Sequence, residues 1–167
     1  AIGRDWQCGT LQVDFNLPGR LGSFYIASDG EKHIPVMLHR AIFGSLERFT
    51  GILIEHYAGR LPLWISPIQI VIVTINSQCD QYAKDLLEKC SMSGLRTEID
   101  LRNEKISYKI REHISVKIPI LFVIGQKEIE DKTVTIRELG NDEQKTINLE
   151  EAISEIRSKA NPPDSHN

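Results

Sequence analysis

Residues 68–75 read IQIVIVTI, and every residue but Gln69 is β-branched. Side chains this stiff at χ1 suit a pleated strand better than a helix. The stretch does not alternate apolar with polar. It therefore predicts a strand covered on both faces, as in a parallel sheet lying between helices. Toward the C-terminus, Asn76 or Ser77 can cap a helix whose Ala83, Leu86, Leu87 and Cys90 share one face, and Gly94 ends it. Residues 95–101 read as a strand, 104 to about 116 as a helix, and 120–124 as a second apolar strand. Residues 133–139 and 145–148 flank the turn sequence GNDE and form a hairpin. A closing helix over 150–159, capped by Asn148, buries Leu149, Ile153 and Ile156. The order β-α-β-α-β-β-α predicts an α/β domain with a mostly parallel sheet.

Toward the N-terminus the pattern changes. Residues 58–67, AGRLPLWISP, carry glycine and two prolines with little periodicity and read as a linker. Before it, GTLQVDF (9–15) alternates: Thr10, Gln12 and Asp14 on one face, Leu11, Val13 and Phe15 on the other. Residues 18–22 read as a loop, 24–27 as a short strand, Asp29-Gly30 as a tight turn and 34–39 as a further strand, which together imply an antiparallel sheet. A helix is expected over 40–57, with Ile42, Leu46, Phe49, Leu53 and Tyr57 in one apolar stripe. The expected division is 1–57, linker 58–67, second domain 68–160 and a frayed tail 161–167.

Composition bounds the function. Of 167 residues, 41% are apolar and 26% charged, which excludes general disorder. Lys plus Arg number 20 against 23 Asp plus Glu, so a generic polyanion binder is excluded by the average. The average hides a local excess. Between 102 and 117, Arg102, Lys105, Lys109, Arg111 and Lys117 face only Glu104 and Glu112. That stretch is where contact with RNA is expected, the other reading being a solvated helix face. Three cysteines without a C-x-x-C fit a reduced cytoplasmic setting rather than a disulfide framework. No apolar run approaches a membrane span, and no secretory signal opens the chain. The chain starts in mid-pattern without Met and reads as cut from something longer.

The stretch with most chemistry is His39–Phe49, HRAIFGSLERF. Gly44, Arg48 and Gly51 recur at i, i+4 and i+7, apart from the apolar stripe. Open backbone beside a planar cation can receive a flat aromatic ligand, with the guanidinium stacked on it and meeting phosphate. The plainer reading is an exposed arginine with packing glycines.

This stretch resembles the third signature motif of class II aminoacyl-tRNA synthetases in the form carried by threonyl-tRNA synthetases. GRDWQCGTLQVDFNLPGR (3–20), HIPVMLHRA (33–41), ILIEHYAGRLPLWISP (52–67) and NEKISYKIREH (103–113) are similar to that family in the same order, covering nearly the whole chain. The resemblance implies part of the antiparallel class II catalytic sheet with its motif 3 helix. An anticodon-binding domain follows, a five-stranded mixed sheet flanked by three helices. It implies that Arg48 stacks on adenine and engages the γ-phosphate of ATP. Gln7, Thr10 and Ser45 belong to the nucleotide site, and Gln12 lies beside threonine. His39 matches one ligand of a catalytic-site zinc. The family's other two ligands, a Cys and a His, lie upstream, and Cys8, Cys79 and Cys90 do not match the Cys ligand. Asn103 and Lys105 match contacts to the anticodon loop, and Glu128 and Arg137 match residues that read its bases.

The full-length enzyme is thus expected to use ATP with Mg and one Zn, to bind threonine and threonine tRNA, and to be a homodimer without membrane contact. Motifs 1 and 2 are absent from this stretch. The chain alone is therefore expected to hold no cofactor stably and to make no threonyl-adenylate, while still binding the anticodon loop. The rival reading is a non-enzymatic synthetase-like module that binds RNA or DNA. A prolyl enzyme is disfavoured by His39 and the DFNLP block.

Overall fold

A computed structural model describes residues 3–141 and 143–163. Strand β5 (Ile70–Thr74) is wholly buried at the centre of a five-stranded sheet. Its alternate side chains serve two cores, as the unbroken apolar run predicts. Ile70 and Ile72 join one core, Val71 and Val73 the other. The strand pairs in parallel with β6 (Thr97–Asp100) and β7 (Ile120–Ile124). β8 (Thr133–Glu138) then adds antiparallel to β7, and β9 (Gln144–Asn148) antiparallel to β8. The order is β6-β5-β7-β8-β9, a mixed sheet.

Helix α3 (Asp80–Met92) and helix α6 (Leu149–Lys159) cover one face with Ala83, Leu86, Cys90, Ala152, Ile153 and Ile156. Helix α4 (Ile106–Ser115) covers the other through Ile106 and Ile110. Asn76 Oδ1 accepts from Gln78 N at the turn leading into α3, and Gly94 leaves it at φ +79°. The short helix α5 (Gln126–Asp131) is not in the sequence expectation. Ile129 is its one apolar residue, so it carries no periodicity to read.

The chain divides into two compact units after Ala58. From residue 61 onward the stretch read as a linker is bound to the second unit. Arg96 Nε donates to Ser66 O (2.9 Å) and Nη2 to Trp64 O (2.9 Å), while Gln69 Nε2 donates to Leu63 O (2.9 Å).

In the first unit β1 (Thr10–Asp14) pairs antiparallel with β4 (Met37–Ala41), and β2 (Tyr25–Ile26) with β3 (Lys32–His33). The expected loop at 18–22 begins instead within helix α1 (Leu17–Arg20), where Pro18 fits the first turn. The strand expected at 34–39 starts later, at Met37 in β4, and Pro35 lies in the non-strand stretch between β3 and β4. Helix α2 (Leu46–His56) starts later than expected. Gly44 sits at φ +74°, and Ser45 caps the helix by accepting from Arg48 N at 3.1 Å. Ile42 and Gly44 therefore precede the helix. Among the described residues of this unit only Pro18 is buried, and Leu11, Val13 and Leu38 stay more than half exposed. Asp142 of the expected turn and residues 164–167 of the expected tail lie outside the described residues.

Candidate functional site

The polar residues of the first unit converge because β1 and β4 are in register. Gln12 lies opposite His39 and Thr10 opposite Ala41. Directly opposed residues of an antiparallel pair share a face, so Thr10, Gln12, Asp14 and His39 line one side. Gln7 Nε2 donates to Thr10 Oγ1 at 3.1 Å. Next to Gln7, the Trp6 ring receives the Arg48 guanidinium 5.7 Å from its centroid, so the planar cation is already held by an aromatic face. Gln7, Thr10 and Arg48 are thus linked through Trp6. Ser45 spends its oxygen on the α2 cap.

His39 Nε2 meets Asp14 Oδ2 at 3.3 Å, and Gln12, Asp14, Asn16 and His39 line a shallow pocket there. Asp14 Oδ1 also accepts from Leu17 N and Asn16 N. These backbone donors, Leu17 foremost, hold its carboxyl below the usual range, with His39 adding to them. Asp14 was visible as the third polar residue of an alternating strand, but no motif assigned it to His39. Among the described residues no three His, Cys, Asp or Glu side chains converge. The residues present at His39 do not fit a three-ligand zinc site by themselves.

In the second unit three of the RNA candidates, Asn103, Lys105 and Glu128, sit just past the C-terminal ends of the parallel strands β6 and β7, while Arg137 lies nearer the other end of β7. Asn103 and Lys105 lie in the exposed turn that leaves β6 and enters α4. Glu128 lies in the first turn of α5, just after β7. Its Oε2 accepts from Gly125 N (2.9 Å) and its Oε1 from Thr135 Oγ1 (2.9 Å). Thr135 lies opposite Val123, near the same end of β7. Arg137 lies two residues further along β8, opposite Leu121 and Gln144. Val134 and Ile136 point into the core beneath α3 and α6. The pleat therefore puts Thr133, Thr135 and Arg137 on the opposite face, with Thr146 and Gln144 beside them. Helix α4 packs on β5, so this half of the face stays polar, with Thr133, Thr135 and Arg137 half-buried and Gln144 and Thr146 exposed. Thr135 is a partner the sequence reading missed. The alternation Thr133, Thr135, Arg137 was its signal.

The basic stretch 102–117 is corrected in part. Lys109 is 1% exposed, and its Nζ donates to Thr74 O (3.0 Å) and Asp100 O (3.1 Å). Arg102 is paired with Asp100 and Glu112. Only Lys105, Arg111 and Lys117 of the five remain as exposed cations outside these pairs. Lys109 lies beside Ile106 and Ile110 on the buried stripe, a position that composition counts cannot distinguish from the surface.

Residues 69–159 match the family model described as "Anticodon binding domain", and residues 1–57 match "tRNA synthetase class II core domain (G, H, P, S and T)". The chain is 60% identical over 164 residues to a threonine–tRNA ligase of Rhodopseudomonas palustris, covering 98% of this chain and 25% of that protein. A threonine–tRNA ligase of Parvibaculum lavamentivorans is 58% identical with the same coverage. The chain thus spans about a quarter of the length of these curated relatives. Among solved structures, the RNA-binding domain of threonyl-tRNA synthetase from Cryptosporidium parvum superposes with a TM-score of 0.86 at 34% identity, over 98% of this chain and 42% of that one. A prolyl-tRNA synthetase from the same organism, 20% identical with a TM-score of 0.73 over 95% of this chain and 36% of that one, shares the fold.

Proposed function

Because the chain belongs to the anticodon-binding domain family, we propose that it is the carboxy-terminal part of a threonine–tRNA ligase and that its second unit binds the anticodon loop of threonine tRNA. The observation that carries this is the polar face of β8 and β9, with Glu128 held at its edge by Gly125 N–H and the Thr135 hydroxyl. Those two donors fix the carboxylate while leaving lone pairs free to accept from a base amino or imino group. Arg137 supplies a planar donor on the same face, suited to bonding or stacking on an unpaired base. Asn103 and Lys105 add contacts to the loop, the lysine as a point charge for phosphate.

The proposed domains are 1–57 for the catalytic part, 58–67 for the connection and 68–160 for the anticodon domain. In the whole ligase, the threonine carboxylate would attack the α-phosphate of Mg-bound ATP and displace pyrophosphate, and a tRNA hydroxyl would then attack the resulting threonyl-adenylate and displace AMP. Arg48 would stack on adenine and meet the γ-phosphate, with Gln7, Thr10 and Ser45 in the nucleotide site and Gln12 beside threonine. His39 would be one of three zinc ligands, the other two coming from outside this stretch. The bare apolar side of β1 and β4 supports this reading, because a two-stranded sheet needs further strands or packing for stability. A homodimeric, cytoplasmic enzyme is part of the same proposal. Among the described residues no helix is long and apolar enough to cross a membrane.

The test is binding of a synthetic threonine-tRNA anticodon stem-loop and of the same hairpin with a scrambled loop. Glu128→Ala and Arg137→Ala are each expected to weaken the cognate hairpin about tenfold and the scrambled one hardly at all. Equal losses on both hairpins would overturn the base-reading roles. Threonine-dependent pyrophosphate exchange by this chain alone would overturn its expected inactivity.

A further inference from the structure

Asp100, a residue 6% exposed, ends β6 and gathers three side chains on its carboxylate and carbonyl. Arg102 binds it in a bidentate pair, Nε to Oδ1 at 3.0 Å and Nη2 to Oδ2 at 2.7 Å. Arg102 N donates to the same Oδ1 at 3.1 Å. His113 Nε2 meets Oδ2 at 2.9 Å, and Lys109 Nζ lies 3.9 Å from Oδ1 while donating to the Asp100 carbonyl. Arg102 Nη2 continues to Glu112 Oε2 at 2.6 Å. The Arg102 guanidinium, foremost, holds the Asp100 carboxyl well below the usual carboxylate range. The cluster ties the end of β6 to the third turn of α4, and the turn 101–105 is strung between those anchors.

We propose that Asp100, acting through Arg102 and Lys109, is a positioning residue that sets the 101–105 turn so that Asn103 and Lys105 meet RNA in one preformed arrangement. This rests on the reading of Asn103 and Lys105 as RNA contacts. Among the described residues neither side chain has a hydrogen-bond or ion-pair partner, and both are exposed. Their placement is decided by the backbone between Arg102 and Ile106. A turn ordered before binding spares the complex the entropy of ordering it on contact. The cluster carries nearly balanced charge, so its own attraction for phosphate is weak. That separates positioning from direct contact.

The experiment measures stem-loop binding by the 167-residue chain for wild type, Asn103→Ala, Lys105→Ala, Asp100→Asn, Arg102→Lys and the double variant Asp100→Asn/Asn103→Ala. Circular dichroism checks the fold. Asp100→Asn is expected to weaken the cognate hairpin about tenfold, and adding Asn103→Ala to it to cost less than about threefold more. Arg102→Lys keeps the charge but loses the bidentate fork, and is expected to behave like Asp100→Asn. It carries the test if Asp100→Asn does not fold. A purely structural role would lower the melting temperature with no coupling to Asn103. Wild-type binding by Asp100→Asn and Arg102→Lys, with losses at Asn103→Ala or Lys105→Ala, overturns the positioning role and leaves the RNA reading standing. No loss at either Asn103→Ala or Lys105→Ala overturns both.

Discussion

Replacing Lys109 by Met tests how the second unit pays for a charge at its centre. The ammonium is buried, and its two donated bonds end on the carbonyls of Thr74 and Asp100, joining β5 to β6 across the foot of α4. Methionine refills the aliphatic volume but donates nothing, so both carbonyls lose their lysine donor. A buried acceptor without a partner costs about 1–3 kcal/mol. The full penalty for an orphaned buried ion, about 3–5 kcal/mol, does not apply, because Asp100 keeps Arg102 and His113. Relief of the ammonium's own desolvation offsets part of the loss. The net expectation is about 3 kcal/mol, or somewhat over a hundredfold in the unfolding equilibrium. Hydrogen exchange on the β5 and α4 segments across a urea series reads this unit separately from the first. A loss below about 1 kcal/mol would refute the reasoning, since the hydrogen bonds would then barely exceed the cost of burying the charge.

Two further predictions concern the same end of the sheet. Asp100 titrates lower in the folded chain than in the unfolded one, so its stabilising contribution is complete above the unfolded value of about 3.9 and is lost as pH falls below it. Urea midpoints between about pH 5 and about pH 2 should fall with pH, and Asp100→Asn should flatten that slope. At Gly125 a Cβ would lie 2.8 Å from Ile75 Cδ1 and 3.0 Å from Glu128 Oε2, both at the ends of flexible side chains. Gly125→Ala should therefore cost only about 1 kcal/mol in a urea melt. It should nevertheless displace Glu128 and weaken the cognate stem-loop more than the scrambled one.

The residues of β5 show how far the sequence reached. IQIVIVTI carried no alternation, and that alone predicted a strand buried on both faces, which in turn demanded helices on both sides. The polar face of β1 was equally legible, because period-two alternation places Thr10, Gln12 and Asp14 together whatever the partner strand. The order and identity of the motif blocks likewise pointed to synthetase architecture. Helix α5 escaped because it is short and carries no apolar stripe, and α2 began late because Gly44 and Ser45 set its cap locally.

Tertiary structure alone decided which charges are available. Arg102, Lys105 and Lys109 look alike in a count of basic residues, but strand register and the seat of α4 bury one, pair another and leave the third free. The same holds for carboxylates. Glu128 is tied to Thr135 and Asp100 to His113, partners on other elements of the sheet and helices that no local motif prescribes. Local patterns are written by the periodicity of strands and helices, so one sequence suffices to read them. Which side chain neutralises which depends on distances between elements, and those exist only once the sheet is assembled.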